Sequence, residues 1–183
     1  ILSLRSVEDG ERINVAVKAG AKSAVILGAG LIGLELGVAL IECGLTVTVV
    51  EMLPQILPRM LDADVAKLVQ EHLEQKGMKI LLNRTVEEFL GEEKVSGIKA
   101  SGEIIEADMI VSAFGVKANT RLAIEAGIPL GETGAIKTNA RMETAVKDVY
   151  AAGDCAETTN LITQKATLAQ LGTVAVRQGK VAG

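Results

Sequence analysis

The stretch from residue 24 to residue 51 constrains this chain more than any other part of the sequence. An apolar run, Ala24–Leu27, leads into a G-x-G-x-x-G pattern, which is followed by a helical stretch and a second β-rich run. The second run stops at an acid, Glu51, about 20 residues after the glycines. This order of strand, turn, helix and strand predicts a unit that binds an adenine dinucleotide through its pyrophosphate and ribose.

The residues of this turn have separate expected roles. Gly28 can adopt a positive φ, because it has no Cβ. Gly30 lets the backbone approach the pyrophosphate, and Gly33 lets the helix pack closely on the strand. Glu51 is expected to accept hydrogen bonds from the adenosine ribose and to repel a 2′-phosphate, so the sequence predicts NAD rather than NADP. The alternative is an ordinary glycine turn in an α/β core.

Composition narrows the fold class and excludes several kinds of function. Hydrophobic residues make up 49% of the chain and aromatic residues only 2%, so the core must be aliphatic, as in parallel strands buried on both faces. The net charge of −4 provides no basic surface for nucleic acid or an anionic membrane. Glu35 and Glu42 interrupt the apolar stretch, so no membrane-spanning helix is expected there.

The cysteines indicate the expected cellular compartment, and the first residue indicates whether the chain is a piece of a longer polypeptide. Cys43 and Cys155 lie far apart and form no C-x-x-C pair, which excludes a disulfide framework or a zinc knuckle by spacing. We therefore expect the reducing cytoplasm and see no signal peptide. The chain begins at Ile1 rather than at a methionine, which suggests a piece of a longer polypeptide.

The remaining pattern predicts an α/β fold: a Rossmann-like parallel sheet with flanking helices and an inserted three-stranded antiparallel meander. The expected elements share clear boundaries of glycine, proline or acidic residues. They are a short helix within residues 1–22, a helix from Asp62 or Asp64 to Lys76, a strand at Met78–Leu82, the meander over residues 85–106, a buried strand at Asp108–Phe114, a short helix ending at Gly127, a strand over residues 135–138, a strand at Val149–Asp154, and a helix over residues 165–183.

A few residues outside the glycine turn are candidates for a site. Gly115 ends a buried strand and is expected at the ligand edge of the sheet. Gly153 and Asp154 end a predicted strand and could meet a phosphate and a sugar hydroxyl, although Asp154 could equally be only a cap. Arg59 could reach a phosphate, but a solvated arginine is somewhat favoured. His72, the only histidine, is expected at the surface.

Four motifs in order resemble the NAD-binding domain of the FAD-dependent pyridine nucleotide-disulfide oxidoreductases. They are Gly28–Glu35, Val49–Glu51, the strand before Gly115 with Asn119 four residues later, and Val149–Asp154. The tail from Asn160 to Lys165, with Leu168 and the pair Gln178 and Gly179, is similar to the NADH oxidase and coenzyme A-disulfide reductase branch. The chain departs from the family pattern at Ala118, where a proline is usual before the asparagine.

This resemblance implies a set of roles. Binding of NADH would involve the three glycines and the acid, backbone groups of Leu31 and Ile32, Glu35 near the nicotinamide where hydride leaves for the flavin, and Gly115 in the nicotinamide pocket. Gly153 and Asp154 would belong to the FAD site, with Asp154 accepting a hydroxyl of the ribityl chain. Cys155 does not match the redox cysteine of the family and is expected to be inert.

The same resemblance implies how the chain is organised. Residues 1–147 would form the NAD-binding domain with its lead-in, and residues 148–183 a fragment of the FAD-binding domain. The first half of the FAD domain and the dimerisation domain would lie elsewhere in a polypeptide that forms a homodimer. The fragment alone is then expected to bind NADH without turnover.

Three other functions remain open at this stage. One is a binding-only nucleotide module. A second, within the family that the chain resembles, is the reductase subunit of an electron-transfer chain, similar to ferredoxin reductases, or a dihydrolipoamide dehydrogenase. The third is a dehydrogenase with its own substrate site, although acid–base candidates are lacking, because the only histidine lies on a distant helix.

Overall fold

The computed structural model describes residues 1–183, which divide into two compact units, Ile1–Gly115 and Val116–Gly183. The division between the units differs from the domain boundary at residue 147 that the resemblance implies, and that boundary stays a prediction. In chain order the first unit contains β1 (Leu2–Ser3), α1 (Val7–Lys18), β2 (Ser23–Leu27), α2 (Leu31–Glu42), β3 (Thr46–Val50), α3 (Ala63–Gln75), β4 (Met78–Leu81), β5 (Val86–Leu90), β6 (Gly97–Ala100), β7 (Glu103–Glu106) and β8 (Met109–Ser112).

Five parallel strands form the central sheet, in the order β1-β8-β2-β3-β4. The Rossmann-like parallel sheet predicted from the sequence is therefore confirmed. The order places β2 at the centre, between β3 and β8, so the turn after β2 lies at the middle of one sheet edge. Strand β1 was not predicted, because two residues that pair with Val111 and Ser112 are too few to show an alternating pattern.

The two faces of the sheet are covered by different elements. Ala24 and Ile26 of β2 belong to one hydrophobic cluster, which also contains core residues of the three helices α1, α2 and α3. Val25 and Leu27 belong to a second cluster, which contains Ile98 from β6. Since successive side chains of a strand point to opposite faces, burial on both sides explains the unbroken apolar run of β2.

The inserted meander is the layer on the second face. Strands β5, β6 and β7 form an antiparallel sheet, as predicted. Its acidic residues are exposed, and two of them form ion pairs: Arg84 with Glu103 at 3.1 Å and Lys99 with Glu87 at 3.7 Å. The prediction that these acids form a solvated face is confirmed.

The second unit contains short elements. They are α4 (Arg121–Glu125), β9 (Ile136–Lys137), β10 (Ala156–Thr159), β11 (Ala166–Thr167) and α5 (Gly172–Ala182). β10 pairs in parallel with β9 and antiparallel with β11. None of the five helices of the chain has the length and apolarity needed to cross a membrane.

Two predictions in this unit are wrong. Residues 149–154 form no strand, because only Tyr150 makes a bridge, to Glu143, and Gly153 then turns the chain with φ +84°. The helix expected over residues 165–183 begins only at Gly172. The preceding residues are instead drawn into β11, where Thr167 pairs with Thr158, and such pairing between distant segments overrides local preference.

Candidate functional site

The carboxyl ends of β2, β3 and β8 converge around Gly28. Its N–H donates to the Val50 carbonyl at 2.8 Å, and its φ is +108°, which disfavours any side chain. A Cβ at this position would lie 2.5 Å from the Ala113 carbonyl oxygen. Both the backbone conformation and the neighbouring strand therefore require glycine here.

Gly33 is required by the contact between α2 and the turn. A Cβ at this residue would overlap the Gly28 carbonyl oxygen and would lie 3.3 Å from the Ile26 Cγ2 atom. The helix consequently packs close to β2, as the spacing of the pattern predicted.

Gly30 differs from the other two glycines of the turn. Its φ of −81° and extended ψ of −179° suit any residue, and nothing lies within 4 Å of the position a Cβ would take. Neither sterics nor backbone conformation within the chain requires glycine at this point. The space beside Gly30 is open to a molecule from outside.

The beginning of α2 supplies unused hydrogen-bond donors next to this space. Gly30 occupies the N-cap position without any side-chain cap, and no acid lies in the first turn. Leu34 is the first residue whose N–H bonds within the helix, to the Gly30 carbonyl at 3.0 Å, so the N–H groups of Leu31, Ile32 and Gly33 meet no acceptor in the chain. Free N–H groups at the positive end of a helix dipole bind anions such as phosphate.

Glu51 lies beside the turn and is only 8% exposed. Its Oε2 atom accepts from the Ala29 N–H at 2.8 Å, and its Oε1 atom accepts from the Leu53 N–H at 2.9 Å. Each carboxylate oxygen can accept a further hydrogen bond, so both remain able to receive a ribose hydroxyl. The structure brings this acid to the glycine turn, as the sequence predicted.

Other candidate residues of the first unit lie at the surface. Glu35 is exposed on α2, and its place near a nicotinamide stays a prediction. Gly115, with φ +93°, and Arg59 are also exposed. His72 is exposed on α3, as expected.

The candidates of the second unit lie on a loop rather than on the expected strand. The Gly153 N–H donates to the Gln178 Oε1 atom at 2.7 Å, so this donor is already used within the chain. Asp154 is exposed, and the Cys155 thiol donates weakly to the Ala152 carbonyl at 3.6 Å. The assignment of Gly153 and Asp154 to a FAD site stays a prediction.

Comparison with known proteins identifies the family. The family model described as pyridine nucleotide-disulphide oxidoreductase matches residues 1–179, nearly the whole chain. The chain belongs to this family.

The relatives of this chain are longer proteins. It is 44% identical to an NADH oxidase of Methanocaldococcus jannaschii over the whole chain and 41% of that relative. It superimposes with a TM-score of 0.94 on a NAD-dependent persulfide reductase from A. fulgidus, at 42% identity, over 99% of this chain and 34% of that one. The chain therefore spans less than half of the length of either protein.

A third relative carries information on cofactor choice. An engineered water-forming NADPH oxidase bound to NADPH, a mutant of the water-forming NADH oxidase from Lactobacillus brevis, matches with a TM-score of 0.88 at 27% identity. The match covers 98% of this chain and 40% of that protein. Its five substitutions fall on a glycine, on an aspartate eighteen positions later, on the alanine and methionine that follow, and on a proline seven positions after the aspartate.

Sequence reasoning missed one residue within the turn and one that contacts it. Ala29 is completely buried and uses both of its backbone groups in hydrogen bonds to the segment that follows β3. Leu57 in that segment donates one of these bonds and has a φ of +47°. No residue pattern signals these contacts, because the groups of Ala29 and Leu57 that make them are backbone atoms.

Proposed function

We propose that this chain binds NADH at the beginning of α2 and is the NADH-binding part of a flavoprotein oxidoreductase that passes hydride from NADH to FAD. The observation that carries the proposal is Gly30, a glycine that nothing inside the chain requires. A ligand that approaches the backbone closely explains it, and the pyrophosphate of a dinucleotide is such a ligand.

The binding roles follow from the geometry of the turn. The N–H groups of Leu31, Ile32 and Gly33 would donate to the pyrophosphate, whose negative charge the helix dipole favours. The Glu51 carboxylate, at the end of the neighbouring strand, would accept from the adenosine ribose hydroxyls. In this arrangement, backbone N–H groups bind the pyrophosphate, and no lysine or arginine side chain is required.

The choice of NADH over NADPH is supported by Glu51 and by the third relative. A buried carboxylate beside the ribose would repel a 2′-phosphate at short range. The substituted positions of the engineered NADPH oxidase have counterparts at the same spacing in this chain. They are Gly33, Glu51, Met52, Leu53 and Pro58. Four of these positions lie on the segment around Glu51. None of the four is basic in this chain, so these positions supply no cation to accommodate a 2′-phosphate. We therefore infer a preference for NADH.

The remaining roles come from the resemblance. NADH supplies the hydride and FAD accepts it, while the protein positions both. Glu35 and Gly115 would lie near the nicotinamide, and Asp154 would accept a hydroxyl of FAD. We further propose that the rest of the polypeptide completes the FAD site, that the whole protein is a homodimer, and that it works in the cytoplasm.

Titration of the purified chain with NADH and NADPH tests this function. Calorimetry should show NADH binding tighter than NADPH by about tenfold or more, which corresponds to roughly 1.4 kcal/mol of discrimination. The chain alone should consume no NADH in an absorbance assay. Tighter binding of NADPH would overturn the assignment of Glu51, and absence of binding of either nucleotide would overturn the proposed function.

A further inference from the structure

The segment that follows β3 holds both backbone groups of Ala29, the residue between the first two glycines of the turn. We call residues 51–57 the clamp segment. The Ala29 N–H donates to the Glu51 Oε2 atom at 2.8 Å, and the Ala29 carbonyl accepts from the Leu57 N–H at 2.9 Å. The glycine turn is thereby held from both sides by one short stretch of chain.

The clamp segment is itself fixed to the sheet. The Glu51 N–H donates to the Leu81 carbonyl at 2.9 Å, and the Leu53 carbonyl accepts from the Asn83 N–H at 3.2 Å. The Ile56 side chain is completely buried and belongs to the same hydrophobic cluster as Ala29. Backbone pairing at one end and a buried side chain at the other therefore hold the clamp segment in place.

The contacts of the clamp segment hold Leu57 in a backbone conformation that a leucine does not itself favour. Its φ of +47° lies in the left-handed region, which a leucine rarely adopts. Such a conformation persists only where surrounding contacts determine it, and it is found preferentially at ligand-binding and switch regions. The Leu57 side chain is 9% exposed, and its N–H points to Ala29.

We propose that the clamp segment pre-forms the dinucleotide site, so that Glu51, Ile56 and Leu57 act as positioning residues for the turn that receives the pyrophosphate. This inference rests on the proposed function, because it explains how the same turn is held ready for its ligand. Glu51 then has two roles: it faces the ribose, and it fixes the peptide next to the phosphate-binding N–H groups. Ordering the turn before binding removes an entropy cost that binding would otherwise meet.

Ile56 allows the clamp to be loosened without touching the ligand, since its side chain is not accessible from the surface. The matched control is Ile98, which is equally buried but lies on β6 in the other cluster. Ile56→Ala and Ile98→Ala remove the same atoms from two cores. Ile56→Val and Ile98→Val form a milder pair if either alanine variant does not fold.

Two readouts decide the proposal: the Kd for NADH and NADPH, and hydrogen exchange of the Ala29 amide measured by NMR. Ile56→Ala should raise the Kd of both nucleotides by about tenfold, leave their ratio unchanged, and speed Ala29 exchange more than exchange in the middle of β2. Ile98→Ala should leave both Kd values within about twofold of those of the parent chain, because its core lies on the other face.

Other results would overturn the proposal that the clamp segment holds the turn. Equal loss of affinity in both variants would show that only general stability matters. Unchanged affinity and unchanged Ala29 exchange in Ile56→Ala would show that the segment does not hold the turn. If the parent chain binds neither nucleotide, the proposed function fails, and the exchange of Ala29 still tests the clamp separately.

Discussion

The three glycines of the turn belong to one sequence pattern, but a different physical reason explains each of them. Gly28 needs its positive φ, Gly33 needs the absence of a Cβ for packing, and Gly30 needs neither. The pattern could be predicted from the sequence, because it depends on local spacing. The hydrogen bonds of Ala29 could not, because its N–H and carbonyl are backbone groups that every residue type carries, and their partners Glu51 and Leu57 lie far along the chain.

Gly28→Ala should destabilise the chain. A Cβ there would combine a backbone conformation unfavourable to alanine with a contact of 2.5 Å to the Ala113 carbonyl oxygen. We expect the free energy of unfolding to fall by about 2–4 kcal/mol. Urea unfolding measures this, with Gly179→Ala as the control, since a Cβ at Gly179 meets nothing and favours the helix. Equal stability of the two variants would contradict the role of Gly28.

Glu157 gives the second unit a dependence on pH. Burial acts to raise the pKa of this carboxyl, but hydrogen bonds from the Thr133 hydroxyl and N–H and the backbone of Glu132, together with the charge of Lys137, outweigh it, so the pKa lies below its ordinary value of 4.5. The carboxylate therefore stabilises the fold above pH 4.5, and this contribution is lost as the pH falls through the lowered pKa.

Thr133→Val tests this linkage. The variant loses the hydroxyl that donates to Glu157 at 2.6 Å, so the free energy of unfolding at pH 7 should fall by about 1 kcal/mol. The difference from the parent chain should shrink as the pH falls through the lowered pKa of Glu157, because the carboxylate is protonated below it. Urea unfolding across this pH range measures it, with Thr159→Val, at the exposed end of β10, as the control. A difference independent of pH would contradict the assignment.

At the scale of elements, the helices and strands predicted correctly were those whose sequence signal lies within the element itself. Strands β2, β3, β4 and β8 are buried runs bounded by glycines or acids, and their order along the chain implies a parallel sheet. The strand expected at residues 149–154 and the early start of α5 were wrong, because pairing of β10 with β9 and β11 settles that region. Which face the meander covers also depends on contacts between distant residues.

Asp108 joins the beginnings of β2 and β8, whose far ends form the site. Its Oδ2 atom accepts from the N–H groups of Lys22 and Ser23, at 2.8 and 2.9 Å, and from the Ser23 hydroxyl at 3.0 Å. The Lys22 N–H contributes most to a pKa of Asp108 below its ordinary value. The carboxylate thus favours the observed register of the two strands.

Asp108→Ala should lower the Tm at pH 7, because two backbone N–H groups lose their acceptor. Glu106→Ala, an exposed acid two residues earlier, should leave the Tm nearly unchanged. Differential scanning calorimetry compares the two variants. If both melt at the temperature of the parent chain, the contact does not hold the strands together.

At the scale of the whole molecule, the chain corresponds to one part of the longer proteins that it resembles. It spans 41% of the M. jannaschii NADH oxidase and 34% of the A. fulgidus persulfide reductase. The sequence predicted the nucleotide site from residues alone, whereas the roles of Glu35, Gly115 and Asp154 came only from the family resemblance. The chemistry that the resemblance implies needs a flavin site that residues outside this chain would complete.

The most direct test of the account is the affinity of Gly30→Ala for NADH. The new Cβ would meet no atom of the chain and alanine suits the backbone conformation, so the Tm should fall only by the small amount expected of alanine at an N-cap position. The same Cβ would occupy the space assigned to the pyrophosphate, so the Kd for NADH should rise by about tenfold or more. Gly10→Ala, on helix α1, is the matched control and should bind as the parent chain does. An unchanged Kd in Gly30→Ala would contradict the claim that the dinucleotide binds where α2 begins.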